Sequence, residues 1–155
     1  MWFVNRYGFI LRHPLTFNPY QMPIQKTIVY VEDDYDDQDL LQAAFPKLGD
    51  HSLVTLANST ELFSYLEKGT EEICLLVLDI NLPFLDGIQI LQFIKESPQY
   101  REIPVVVLTT GANSPQMKEL RALGVEVLQK PYDFLDLEGI ADKLLQYCLH
   151  NSSSA

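Results

Sequence analysis

The stretch Leu75-Leu76-Val77-Leu78-Asp79-Ile80-Asn81-Leu82-Pro83-Phe84-Leu85-Asp86-Gly87 decides how this chain folds. The apolar run from Ile73 to Leu78 stops at a carboxylate. A short run of that kind predicts a strand buried on both faces of a parallel sheet. Asp79 then stands at the carboxyl end of a central strand, the edge where open α/β sheets bind their ligands. Pro83 and the Asp86-Gly87 pair predict a loop, with Asp86 capping the next helix. An Asp in this position can also do no more than end a strand. The remaining strands decide between the two readings.

Upstream, Thr27 to Val31 predicts strand one, followed at once by Glu32-Asp33-Asp34-Tyr35-Asp36-Asp37-Gln38-Asp39. Leu40, Leu41, Ala44, Phe45 and Leu48 recur at helical spacing, with Pro46 disturbing the last turn and Gly49 as the stop. Ser52 to Ala57 predicts strand two. Asn58 and Glu61 resemble a capping box opening a helix to about Lys68. Downstream of the central stretch, a helix is predicted from about Gly87 to Glu96, ended by Ser97-Pro98. Strand four is Val105 to Leu108, ending at Thr109. Ser114 as a capping hydroxyl and Pro115 at the first helical position predict a helix to about Leu123. Val125 to Leu128 predicts strand five, ending at Lys130-Pro131. Asp133 or Asp136 opens the last helix, with Leu137, Ile140, Leu144 and Cys148 on its inner stripe.

A β-α unit repeated five times implies an α/β fold, a doubly wound five-stranded parallel sheet with helices on both faces. Polar signatures follow strands one, three, four and five: Glu32-Asp33, Asp79, Thr109 and Lys130. All those strand ends share one edge. With strand order 2-1-3-4-5 the ligand site falls between strands one and three, which brings Asp33 and Asp79 together. Clustered carboxylates raise one another's pKa unless a cation intervenes. Mg²⁺ suits two carboxylates, a carbonyl and waters. Lys130 adds a positive charge and Thr109 a hydroxyl donor. A carboxylate surrounded in this way is suited to receive a phosphoryl group.

These residues resemble the response-regulator receiver domains of two-component signalling, over roughly Lys26 to Leu149. The resemblance implies a flavodoxin-like fold with Asp79 as phospho-acceptor. It implies a Mg²⁺ site in which Asp33 and Asp79 bind directly, Glu32 acts through the metal's waters and Asn81 offers its backbone carbonyl. Thr109 and Lys130 would contact the phosphoryl oxygens, and Lys130-Pro131 matches the family's cis peptide. The run Val31 to Asp37, with Leu108-Thr109-Thr110, looks most like stand-alone regulators that include partners of phytochrome kinases. The implied partners are a sensor histidine kinase or phosphotransfer protein and a downstream protein. The implied state is a monomer or a homodimer linked to phosphorylation. The protein would catalyse its own phosphorylation and a slow autodephosphorylation, yet count as a signalling protein and not an enzyme.

One departure stands out. Receivers usually carry Tyr or Phe three residues before the lysine; here that position is Val127, and if the one-residue-short interval from Thr109 to Lys130 has its gap inside strand five the equivalent is Leu128, which is not aromatic either. The phosphorylated state is therefore expected to be read through Gly111-Ala112-Asn113. A pseudo-receiver working without phosphorylation is the alternative, but it would lack one of the acids, Thr109 or Lys130. A Mg²⁺-dependent aspartyl-phosphate phosphatase would want an Asp where Asn81 stands. A flavin-binding relative would want a phosphate-cradling loop where Glu32 to Asp39 is densely acidic.

Composition sets the bounds. The 155 residues suffice for one domain, and 47% are apolar. A net charge of −10 argues against gripping nucleic-acid phosphates. No run approaches a membrane span. Cys74 and Cys148 fit no zinc spacing and are too few for a disulfide scaffold. They are expected as two core thiols in a reducing cytosol, which gives a cytoplasmic location. His13, His51 and His150 have no ligand-like spacing. Residues 1–25 hold Arg6 and Arg12 but no acid, and are broken by Pro14, Pro19 and Pro23. They are expected as an extension outside the fold, ahead of a receiver domain at 26–150 and a flexible tail at 151–155. A chain starting at Met22 is expected to fold and react equally well.

Overall fold

The computed structural model describes residues 26–45, 51–70 and 72–151. The expectations for residues 1–25, for the turn around Pro46 to Gly49 and for the tail beyond Asn151 lie outside these. The elements alternate as β1 (Lys26–Val31), α1 (Tyr35–Ala44), β2 (His51–Leu56), α2 (Ser59–Leu66), β3 (Ile73–Leu78), α3 (Gly87–Glu96), β4 (Val105–Thr109), α4 (Ser114–Ala122), β5 (Glu126–Gln129) and α5 (Phe134–Asn151). The five strands form one sheet in the order β2-β1-β3-β4-β5. Every pairing is parallel. The expected α/β doubly wound architecture is therefore present.

Strand alternation sends successive side chains to opposite faces. Val29 and Val31 of β1, with Leu76 and Leu78 of β3, pack with Leu62, Leu66, Ile90, Leu91, Ile94 and Leu120 from α2, α3 and α4. Ile28 and Tyr30 face the other way. They join Leu75, Val77, Leu41, Ala141 and Leu144 in the core beneath α1 and α5. Two cores of this kind explain why β3 reads as an unbroken apolar run. Each such side chain contributes about 1.5–3 kcal/mol of gross burial energy.

Capping residues set the helix starts. Asp86 accepts the backbone N–H groups of Ile88 and Gln89, and Gln89 returns to the Asp86 backbone. Asn58 caps α2 through Glu61 N–H, as expected, but the Glu61 carboxylate takes the Ala57 N–H, so the reciprocal half of the expected capping box does not form. At α4 the capping residue is Asn113 and not Ser114. The Asn113 amide oxygen reaches Gln116 N–H, and Ser114 is already helical. Strand five begins one residue later than expected, at Glu126, because Gly124 (φ 67°) and Val125 complete the turn out of α4. Lys130–Pro131 is trans, since no cis peptide occurs among the described residues. Trans is the intrinsically favoured isomer of an X–Pro bond.

The largest correction concerns the cysteines. Both lie in the core, as expected, but they are joined as a disulfide. The pairing of β1 with β3 slips by one residue, so that Thr27 faces Ile73 while Ile28 faces Leu75. Cys74 is the extra residue of that bulge. A bulge re-aims a side chain, and Cys74 consequently shares the α1/α5 core with Leu75. Its Cα lies 4.9 Å from that of Cys148, within bridging range.

Gly87 fixes the approach of α3 to the end of β3. A Cβ there would lie 2.2 Å from the Asp79 carbonyl oxygen and 2.6 Å from Ile80 Cα. Both obstacles are backbone. Gly87→Ala is therefore expected to lower stability by at least about 1–3 kcal/mol, as overpacking does. Urea unfolding should show a lower midpoint with an unchanged slope. An unshifted midpoint would refute the close approach.

Candidate functional site

Asp79 follows β3 directly and is 4% exposed. Its backbone N–H still bonds Val31, so the sheet holds its position. One carboxylate oxygen accepts Asn81 N–H at 3.0 Å; the other accepts the Lys130 ammonium at 2.8 Å. Lys130 arrives from the end of β5, where its own N–H bonds the Thr109 carbonyl. Thr109, at the end of β4, is buried, and its hydroxyl accepts the Asn81 side-chain amide at 3.0 Å. Asp79, Asn81, Thr109 and Lys130 thus form one connected group at one sheet edge.

Glu32 joins the same group from the end of β1. It is 1% exposed. One oxygen accepts both the Lys130 ammonium and, at 2.8 Å, the Tyr30 hydroxyl. The other accepts Asp34 N–H at 3.2 Å. Asp33 is exposed and is not drawn into this network. Asp34 caps α1, one of its carboxylate oxygens accepting Asp36 and Asp37 N–H. Among the described residues no three His, Cys, Asp or Glu side chains are already gathered as a metal cage. The donors that face this edge are nonetheless all oxygens, the chemistry a hard divalent ion requires.

Two partners were not legible as site residues. Tyr30 lies two residues before Glu32, hence on the same face of β1, and that spacing was the available signal. Asp37 was expected as part of a solvated first turn. Its carboxylate instead takes the Lys130 ammonium at 2.8 Å. Only the reach of the Lys130 side chain from the end of β5 to the first turn of α1 reveals this contact.

The electrostatics follow from burial and pairing. Burial pushes the Glu32 carboxyl up, while the Lys130 ammonium and Tyr30 hydroxyl pull it back. Burial opposes the Lys130 ammonium, but the bonds to Asp37, Asp79 and Glu32 prevail and raise its pKa. Burial, with Glu32 alongside, also raises the Tyr30 phenol. Both raised groups retain protons in the folded state that the unfolded chain loses above its ordinary values of 10.5 and 10.0. Folding stability is thus fully present below those values and falls as pH rises beyond them. Stability measured by urea unfolding at stepped pH should fall above about pH 10, and Tyr30→Phe should soften the decline. Stability that is flat through pH 11 would contradict this.

Comparison with known proteins fits this geometry. The model of the response regulator receiver domain matches residues 28–142. Response regulator Rre1 of Synechocystis sp. is 31% identical over 120 residues, covering 77% of this chain and 51% of that protein. The match therefore spans about half the length of that relative. The crystal structure of the phosphorylated cyanobacterial phytochrome response regulator RcpA is 32% identical, with a TM-score of 0.72 over 81% of this chain and 94% of that one. The Mn²⁺-bound form of response regulator Rcp1 is also 32% identical, with a TM-score of 0.68 over 78% and 95%.

Proposed function

The chain belongs to the response-regulator receiver family, and from that premise we propose that it accepts a phosphoryl group on Asp79. Members of the family are signalling proteins that answer to histidine kinases. The observation that carries the reading is the buried Lys130 ammonium, 2.8 Å from an Asp79 oxygen and bonded through its backbone to Thr109.

In the proposed step an Asp79 oxygen attacks the phosphorus of a phosphohistidine on a sensor kinase or phosphotransfer protein. The phosphorus–nitrogen bond breaks, its electron pair stays on the donor imidazole, and the imidazole takes up a proton. An aspartyl phosphate results. Lys130 stabilises the charge on the transferring oxygens, and the Thr109 hydroxyl turns from Asn81 to donate to one of them. Asp33, Asp79 and the Asn81 carbonyl would hold Mg²⁺, with Glu32 acting through its waters. The ion would neutralise phosphoryl charge. The Mn²⁺-bound form of Rcp1 supports a divalent site in this family.

Readout then runs through the loop behind Thr109. Val127 is half-buried and β-branched, so it cannot swing as an aromatic ring does. Gly111-Ala112-Asn113 is the adaptable part. A downstream protein would read that surface, with this chain as a monomer or a phosphorylation-linked homodimer. Among the described residues no helix is long and apolar enough to cross a membrane. A cytoplasmic location belongs to the proposal, because the kinase's phosphohistidine is formed there. The Cys74–Cys148 bridge is uncommon for that compartment, but both sulfurs are buried away from reducing thiols.

The test is phosphorylation by a small acyl-phosphate donor with and without Mg²⁺. The parent chain should require the ion. Asp33→Ala should lose that dependence and most of the rate, because too few direct ligands remain. A parent chain indifferent to divalent ions would overturn the metal assignment.

A further inference from the structure

We propose that Asp37 is a positioning residue for phosphoryl transfer, holding the Lys130 ammonium over Asp79 from the α1 side. The inference rests on the reading of Asp79 as phospho-acceptor. An ammonium carries three N–H groups. Here each finds a different carboxylate: Glu32, Asp79 and Asp37. Glu32 and Asp79 stand on strand ends and are buried. Asp37 is the third arm, 36% exposed and supplied by the first turn of a helix.

That turn is itself fastened to the sheet. Gln38, the next residue, donates its side-chain amide to the Glu32 carbonyl. Asp34 caps the turn and accepts Asp37 N–H at 3.4 Å. The Asp37 carboxylate is therefore fixed relative to Glu32, not carried on a loose helix end.

The lysine is not enclosed on every side. A cleft of about 40 Å³ lies beside it, lined among others by Tyr30, Leu41, Leu108, Pro131 and Leu137. Asp37 and Lys130 themselves line that cleft. Without this carboxylate the third N–H must turn to water, and the flexible four-carbon stem can follow it. Transition-state stabilisation depends on donors already aimed at the developing charge. A displacement of about 1 Å can cost on the order of a hundredfold in rate. Asp37 touches neither the phosphoryl group nor Asp79, and acts through Lys130 alone.

The test compares Asp37→Ala and Asp37→Asn with the full-length parent, using a small acyl-phosphate donor and saturating Mg²⁺. Asp37→Ala should lower the maximal phosphorylation rate by about tenfold with a nearly unchanged half-saturating donor concentration. Asp37→Asn keeps an oxygen acceptor without the charge and should recover most of the rate. An unchanged or faster Asp37→Ala would overturn the proposal, because the carboxylate's hold on Lys130 would then be irrelevant or a hindrance to transfer. So would an Asp37→Asn as slow as Asp37→Ala. Nitrogen NMR of the Lys130 ammonium gives a second readout independent of activity. Its signal should be visible in the parent and broadened away in Asp37→Ala; equal signals count against the role. Asp79→Asn separates the two failures. If Asp79→Asn is still phosphorylated, the acceptor assignment falls. If it is inert while Asp37→Ala keeps full rate, only the positioning role falls.

Discussion

Replacing Lys130 by methionine is expected to destabilise the domain by about 3–5 kcal/mol when no divalent ion is present. Methionine preserves an unbranched apolar stem of similar reach, so the change isolates the charge. Glu32, Asp37 and Asp79 all converge on this one ammonium. Two of them are almost fully buried. Removing the cation leaves their carboxylates facing one another in a poorly solvated site, the situation in which breaking a buried pair is most costly. The effect should shrink at acid pH, where protonation relieves the repulsion. Mg²⁺ at millimolar concentration should restore part of the loss by binding only the folded state. Urea unfolding of the parent and Lys130→Met, with and without Mg²⁺, measures both. A loss under 1 kcal/mol, or no response to the ion, would contradict the site's electrostatics.

Opening the Cys74–Cys148 bridge is expected to cost about 4 kcal/mol. The two residues are 74 apart in sequence, so the bridge closes most of the domain into one loop. Closing a loop of that length removes much of the unfolded chain's freedom, and the stabilisation grows with the logarithm of loop size. It also ties the start of β3 to the last turns of α5, away from the sheet edge that carries Asp79. Thiol titration of the denatured, unreduced protein should find no free thiol on Cys74 or Cys148. Cys148→Ala should unfold at a markedly lower denaturant concentration. Two titratable thiols, with unfolding indifferent to reductant, would show that the pair stays reduced.

Much of this was legible before any coordinates. The alternation of elements follows from apolar runs punctuated by Asn58, Asp86 and Pro115, since local capping and burial agree there, whereas the strand order came from likeness to a known doubly wound fold. Asp79, Thr109 and Lys130 could be placed because strand ends in a parallel sheet share an edge, whatever the details of packing. The misses share a cause. Ser114 read as the cap because a hydroxyl before proline is a good local signal, yet the Asn113 amide reaches Gln116 better. The disulfide was hidden because a bulge inverts the facing of one residue, and periodicity cannot see a bulge. Asp37 sits in a run of acids that all look solvated, and only the Lys130 ammonium reaching it from the end of β5 singles it out. The division between Asp33 outside the network and Glu32 within it is likewise a matter of which way the chain turns after β1.

The central claim is that Asp79 is the phospho-acceptor, and intact-mass measurement tests it most directly. The full-length chain and Asp79→Asn are each incubated with a small acyl-phosphate donor and Mg²⁺, then weighed without acid treatment. The parent should gain the mass of one phosphoryl group and Asp79→Asn should gain none. An equal gain in both, or no gain in a folded parent, would contradict the account.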